Sequence, residues 1–379
     1  MTKTETAESP TKRPQTASDE VPAIEGRHLS KSYDGPLVLD DVSFAVQHGE
    51  FVTLLGPSGS GKTTTMMMVA GFERPTSGDI LVEGKSVIGV PPKRRNLGIV
   101  FQSYALFPHM TVVDNVAFAL MLRGMEKKER RRRAGEMLER VGLGQFADRK
   151  PGQLSGGQQQ RVAVARALVF DPDALLFDEP LGALDKRLRD QLQVEIKEIH
   201  QRMNISVLYV THDQSEAMMM SDRIAVMRDG RIEQIGSPED LYSHPATAFV
   251  ATFLGETNLL PCSITGRSGE YATVTLEDGG RAEAHLGASA RSHQGDCVLS
   301  VRPERVQIVT DGETADCRIS GTLRDHTYLG SMHRLTVDAL GRDMVLTLPD
   351  SAELPSVRPG DQVKLGWSRA DAQILAKEA

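Results

Sequence analysis

The run Gly56-Pro57-Ser58-Gly59-Ser60-Gly61-Lys62-Thr63, with Thr64 directly after it, sets three glycines ahead of a lysine and a hydroxyl. That order suits phosphate binding. Glycines let successive backbone N–H groups curl around phosphate oxygens, Lys62 can reach the β- and γ-phosphates, and the Thr63 hydroxyl can ligate Mg²⁺. Farther along, Ala174-Leu175-Leu176-Phe177-Asp178-Glu179 is an apolar run ending in two adjacent carboxylates. If the strand continues, their side chains point to opposite faces and take different work. Asp178 suits the Mg²⁺ shell, and Glu179 suits polarising a water beside the γ-phosphate. Two acids after a strand are by themselves more often a solvated strand end. Beside a phosphate loop they read as the two halves of a nucleotide-hydrolysing site.

These groups need elements to hold them. Phe51-Val52-Thr53-Leu54-Leu55 is an apolar run typical of a buried strand, and Thr63 to Ala70 lacks Gly and Pro and reads as a helix. The glycine-rich loop therefore lies between strand and helix, where a phosphate should meet the positive end of the helix dipole. Before it, Ala23 to Val46 reads as short strands with a turn at Asp34-Gly35-Pro36. Met66, Met67 and Met68 read as core filler. From about residue 103 to 170 the apolar spacing turns helical, broken by Pro151-Gly152, which predicts an inserted helical subdomain. Strand-like runs at Ala174–Phe177 and Ser206–Val210 flank a periodic helix from Lys186 to about Arg202, the alternation of a parallel α/β sheet. Beyond about Phe249 the pattern changes to short alternating runs, such as Ala272–Leu276 and Cys297–Val301, predicting a small β-rich second domain.

Leu154-Ser155-Gly156-Gly157-Gln158, between the phosphate loop and the paired acids, carries the signature motif of the ABC ATPase family, which the chain resembles from about Ile24 to Phe253. The resemblance implies a P-loop NTPase core whose signature motif caps the ATP held by a second copy, hence a homodimer with two shared sites. It implies that Gln102 senses Mg²⁺ and faces the membrane partner, that Tyr33 stacks on adenine, that Leu184-Asp185 communicates across the dimer, and that His212 contacts the γ-phosphate. Gly182 departs from the serine many members carry. Val301-Arg302-Pro303-Glu304 resembles the OB-like accessory (TOBE-type) domain of binding-protein-dependent importers. The runs Phe101–His109, Phe249-Val250-Ala251 and Gly255-Glu256-Thr257-Asn258 are most similar to spermidine/putrescine importer ATPases, with ferric iron, sulfate and sugar importers as alternatives. The implied partners are two integral membrane permease subunits and an external solute-binding protein, at the cytoplasmic face of the inner membrane.

The 379 residues exceed one hydrophobic core, which stops growing near roughly 250–300 residues. The expected division is a disordered tail over 1–22, an ATPase domain over 23–245 and an accessory domain over 246–379. A net charge of −7 argues against broad nucleic-acid binding, and the basic run Lys127 to Arg133 reads as a solvated helix face. Cys262, Cys297 and Cys317 lack any Cys-x-x-Cys spacing, so neither a disulfide framework nor a zinc site is indicated. No apolar run approaches the ~18 residues of a spanning helix. A soluble ABC ATPase acting on DNA or ribosomes is the alternative from another class, but such proteins usually carry a long coiled-coil insertion or two ATPase domains, and this chain has neither. The β-rich tail reads as a packing and dimer-support module, with a ligand-binding sensor as its alternative.

Overall fold

The computed structural model describes residues 21–182, 185–291, 293, 295–310, 315–352 and 357–377. Residues 1–20 of the expected tail, and Leu184, lie outside the described residues. The chain opens with an antiparallel hairpin of β1 (Ile24–Ser32) and β2 (Leu37–Val46). The wholly buried β3 (Phe51–Leu55) then feeds the glycine-rich loop and helix α1 (Lys62–Ala70). β4 (Ser77–Val82) and β5 (Lys85–Ser86) return to the hairpin to form a sheet in the order β2-β1-β4-β5. β6 (Leu97–Val100), β7 (Ala174–Asp178), β8 (Ser206–Thr211), β9 (Arg223–Arg228) and β10 (Arg231–Gly236) join β3 in the order β10-β9-β3-β8-β7-β6. All neighbours in this sheet are parallel except β10 and β9.

Unbroken apolar runs suit strands covered on both faces, and β3, β8 and nearly all of β7 are buried along their length. Helices supply the cover. Between β6 and β7 come α2 (Val112–Leu122), α3 (Lys127–Arg140) and α4 (Gly156–Leu168). Their apolar faces share one cluster with Phe51, Val100, Phe177, Val207 and Tyr209 of the sheet, so the helical insertion extends the sheet's core. α5 (Lys186–Met203) follows β7, α6 (Gln214–Met220) follows β8, and α7 (Pro238–Ser243) and α8 (Ala248–Phe253) follow β10. Met66 and Met68 are fully buried. α1 stops at Gly71, whose left-handed φ of 87° lets its N–H reach the carbonyls of Met67 and Met68. The buried Arg95 guanidinium donates to Met68 O at 2.7 Å and Val69 O at 2.8 Å. It also fills the space a side chain at Gly71 would need.

The C-terminal third is all β. β11 (Asn258–Ser268), β12 (Tyr271–Leu276), β13 (Arg281–Leu286) and β14 (Cys297–Val301) close with the last strand, β20 (Ala372–Ala376), into a barrel in the order β11-β12-β13-β20-β14. A five-stranded closed barrel is the OB-like form expected. Beside it lies a second sheet, β15-β19-β16-β17-β18, built from β15 (Gln307–Ile308), β16 (Cys317–Tyr328), β17 (Met332–Ala339), β18 (Arg342–Pro349) and β19 (Gln362–Trp367). Barrel and sheet share one apolar core that includes Trp367.

Arg302 fastens this unit to the rest. Buried to 7% exposure, it donates to Ala251 O at 2.8 Å, Gly255 O at 3.1 Å, Glu256 O at 3.2 Å and Tyr242 O at 3.0 Å. Removing one partner of a buried charged hydrogen bond costs about 1.5–3 kcal/mol. Arg302→Ala is therefore expected to lower the stability of the C-terminal unit by about 2–4 kcal/mol and to expose the segment between α8 and β11 to protease. Calorimetry with limited proteolysis checks this, and unchanged melting and cleavage would contradict it.

Candidate active site

Four parallel strands leave the central sheet at the same edge. β3 runs into the loop Gly56–Gly61, β6 into Gln102, β7 into Asp178 and Glu179, and β8 into His212. The carboxyl edge of a parallel sheet, where strand ends meet helix starts, is the usual place for a ligand. The loop is held open by its glycines. A side chain at Gly56 would stand 2.3 Å from Met227 O, and one at Gly61 would stand 2.3 Å from Leu39 Cδ2. Gly61 also takes φ 99°, in the region that L side chains rarely adopt. At the exposed tip, Gly59 has nothing within 4 Å where its Cβ would be, and Pro57 and Ser58 are exposed beside it.

Lys62 is 4% exposed, and its ammonium is fixed by donation to Gly56 O at 2.8 Å and Pro57 O at 2.9 Å. Burial pulls its pKa below the ordinary lysine value, and the charges of Glu179 and Asp178 oppose that shift. Two of its N–H groups thus hold the loop's own backbone, which curls the loop around the amine. Ser60 is buried with a hydroxyl oxygen that has no partner. Gly61 caps α1 without a side-chain acceptor, so the first-turn N–H groups lack a side-chain cap. Thr63 lies exposed with Thr64 half-buried behind it, and the Thr63 hydroxyl donates to Asp178 Oδ1 at 3.5 Å.

Asp178 is the last residue of β7, and its carboxyl pKa is raised by burial and by the neighbouring Glu179 charge. The strand does not continue through Glu179, as the alternation argument assumed. Glu179 turns into the left-handed region at φ 43° while its N–H donates to Val210 O at 3.0 Å. Such a conformation costs a non-glycine residue about 1–2 kcal/mol. It re-aims the carboxylate toward His212, whose Nδ1 lies 3.1 Å from Glu179 Oε2. A Cβ at Gly182 would stand 3.3 Å from Gln102 Nε2 and 3.9 Å from Glu179 Oε2, so Gln102 and Glu179 converge over this position. Glycine here leaves room for both.

The remaining expected residues lie elsewhere. Ser155 caps α4 by accepting from Gln158 N–H at 3.3 Å, while Gln158 Oε1 accepts from Ser155 N–H at 2.9 Å. Gly156 and Gly157 form the helix's first turn. No hydrogen bond or ion pair among the described residues joins this segment to the glycine-rich loop. Tyr33, 52% exposed, has the Lys31 ammonium 4.4 Å from its ring centre and lies open to solvent. Asp185 caps α5 by accepting from Leu188 N–H at 3.0 Å.

Two residues that position the site escaped the sequence reading. Arg166, near the end of α4, donates to Tyr104 O at 2.7 Å and Ala105 O at 2.6 Å. Those consecutive residues are left-handed, at φ 59° and 48°, so the arginine stabilises a backbone that would otherwise relax. Buried Asn115 brackets Phe107 with bonds to its N–H at 2.8 Å and its C=O at 3.1 Å. The loop that carries Gln102 is thus tied to two helices. Nothing in the spacing of Arg166 or Asn115 announces this; only a polar residue on an otherwise apolar helix face hints at it.

Residues 39–182 match the ABC transporter family and residues 299–375 match the TOBE domain family. The chain is 48% identical over 364 residues to a spermidine/putrescine import ATP-binding protein, PotA, of Thermobifida fusca, covering 94% of each chain. It is 45% identical over 350 residues to an Fe(3+) ions import ATP-binding protein, FbpC, of Rhizobium etli, covering 92% of this chain and 96% of that one. A solved dimeric ATP-binding cassette in a post-hydrolysis state with ADP and phosphate superposes with a TM-score of 0.50 at 34% identity, covering 57% of this chain and 98% of that one.

Gly61→Ala brings both a clash and a strained φ, so it should abolish nucleotide binding and destabilise the fold by about 1–2 kcal/mol. Titration with a fluorescent ATP analogue and a thermal melt check this. Wild-type affinity in that variant would contradict the role given to the loop.

Proposed function

The chain belongs to the ATP-binding subunits of ABC transporters, and from that premise we propose that it hydrolyses ATP, as one half of a homodimer, to drive import of putrescine and spermidine. The observation that carries the reading is the convergence of Lys62, Thr63, Asp178, Glu179, Gln102 and His212 at one edge of the sheet. The likeness to a polyamine import protein supports the substrate class. We propose residues 23–245 as the ATPase unit and 246–379 as the accessory unit, on the cytoplasmic face of the inner membrane. Two permease subunits and an external binding protein complete the importer. No helix among the described residues is long and apolar enough to cross a membrane.

The residues divide the chemistry by their positions. Backbone N–H groups of 58–61, the Ser60 hydroxyl and the Lys62 ammonium cradle the phosphates, and the uncapped start of α1 adds its dipole. Tyr33, exposed just after β1, offers a flat face to adenine. Thr63 Oγ1 and Asp178, two hard oxygen donors within one shell of each other, fit Mg²⁺, with Gln102 completing the set. Mg²⁺ bound there offsets charge on the β- and γ-phosphate oxygens. Glu179 accepts the hydrogen of the attacking water, and His212 fixes the carboxylate through the 3.1 Å contact while its exposed ring faces the γ-phosphate. At the start of α4 the exposed Ser155, the half-buried Gly156 and Gln158 and the buried Gly157 present hydroxyl and N–H donors to the nucleotide of the other copy. Asp185 belongs to the loop that links the two copies.

A second reading, ferric iron as cargo, is favoured by the likeness to the iron import protein. Glu179→Gln keeps the shape of the site and removes the base, so ATPase turnover should fall by about 100-fold or more and the ATP-bound dimer should accumulate. Cells relying on that variant should lose uptake of labelled putrescine and spermidine. Normal turnover in the variant would remove Glu179 as the base. Loss of ferric iron uptake with polyamine uptake intact would replace the substrate and keep the motor.

A further inference from the structure

Close behind His212 lies a buried carboxylate that the nucleotide reading does not use. Glu216, in the first turn of α6, is 2% exposed. A carboxylate taken out of water is costly unless hydrogen bonds meet its charge. Two hydroxyls of β8 do so: Tyr209 Oη donates to Glu216 Oε2 at 2.9 Å, and Thr211 Oγ1 donates to the same oxygen at 2.7 Å. Tyr209 and Thr211 stand two positions apart and so share one face of the strand, and both are buried. Burial raises the pKa of the Glu216 carboxyl, and the two donated hydrogens oppose that shift. Burial and the Glu216 charge hold the Tyr209 hydroxyl well above its ordinary value, so it keeps its hydrogen and donates.

These bonds act on the turn that carries His212. With its own hydrogen given to Glu216, the Thr211 hydroxyl turns its lone pairs to the Asp213 N–H, which donates to it at 3.0 Å across His212. Asp213 is fixed in its turn. Its Oδ1 accepts from the N–H groups of Ser215 at 2.8 Å and Glu216 at 3.2 Å, and its Oδ2 accepts from Arg189 Nη1 at 2.9 Å. His212 is thus held between two anchored neighbours, with its Nδ1 3.1 Å from Glu179 Oε2. Val210, between the two hydroxyl residues, accepts the Glu179 N–H at 3.0 Å. The Tyr209 ring centre lies 5.7 Å from that of Phe177, the residue before Asp178. Without an acceptor at position 216, two buried hydroxyls lose their partner and the Thr211 hydroxyl is free to rotate away from Asp213. The bonds that shape the glycine-rich loop involve none of these residues.

We propose that Glu216 is a positioning residue for ATP hydrolysis, a fixed double acceptor that holds the end of β8 and so sets His212 against Glu179. The inference rests on the assignment of Glu179 as the base. Because the task is to accept hydrogen bonds, a side chain of the same shape with a neutral carbonyl oxygen should serve.

The test is steady-state ATPase kinetics and binding of a fluorescent ATP analogue with the full-length protein, below the melting temperature of each variant and with Glu179→Gln as reference. Glu216→Ala should lower kcat about 10- to 100-fold while KM and analogue affinity stay at the wild-type values. Glu216→Gln should recover most of that loss. Thr211→Val removes one hydroxyl at nearly constant shape and should reproduce the fall in kcat, which keeps the test decisive if Glu216→Ala does not fold. Combined with Glu216→Ala it should add little, since both remove the same bond. Wild-type kcat in Thr211→Val or in folded Glu216→Ala, a loss of analogue affinity in step with kcat, or equal losses in Glu216→Gln and Glu216→Ala would each overturn the proposal. Normal turnover in Glu179→Gln would remove the base and this inference with it, whereas loss of turnover there beside normal kcat in the Glu216 and Thr211 variants would overturn this inference alone.

Discussion

Everything at the nucleotide edge depends on the parallel alignment of β6, β7, β8 and β3. Parallel strands all finish at the same edge, so residues far apart in sequence are delivered to one place without any direct contact having to find them. The ladders fix the depth of each delivery, pairing Leu55 of β3 with Thr211 of β8 and Asp178 of β7 with Val210 of β8. A slip of one residue in any strand would turn every side chain to the other face. The buried runs of Val, Leu, Phe and Tyr on these strands therefore act on chemistry as much as on stability.

α4 connects two parts of the site that do not touch. Its first turn holds Ser155, Gly156, Gly157 and Gln158, and Arg166 near its other end grips the carbonyls after Gln102. A helix is stiff over this length, so a displacement of its first turn would be passed to the loop that follows Gln102. The grip is on backbone oxygen and not on a side chain. The loop's sequence can change while the mechanical link persists.

Much of this was legible before any coordinates. The glycine-rich loop, the paired acids and the order of strand and helix needed only local pattern, and each has a local physical cause. Less legible was the conformation of Glu179. Alternation along a strand predicts opposite faces for residues 178 and 179, but the strand ends at Asp178 and the next residue turns left-handed, held by Val210 on a different strand. That bond is a tertiary fact. The same holds for Arg166, Asn115 and Arg302, whose partners are carbonyls 46 to 62 positions away for the arginines, and which no periodicity encodes. The second sheet was also unforeseen, because short alternating runs state that strands exist and leave open which of them close into a barrel.

The junction between the two units follows from the geometry of one side chain. Guanidinium offers a planar fork of donors, and Arg302 spends it on four backbone carbonyls drawn from α7, α8 and the segment after them. Tyr242 adds a face beneath the same guanidinium, 4.0 Å from its ring centre, and sends its hydroxyl to Glu304 at 2.7 Å. Residues 302 and 304 of the Val301-Arg302-Pro303-Glu304 run therefore grip the same helix from two sides, with proline fixing the turn between them. A motif that reads in sequence as a mark of ancestry is, in the fold, a clamp between the C-terminal β strands and helices α7 and α8.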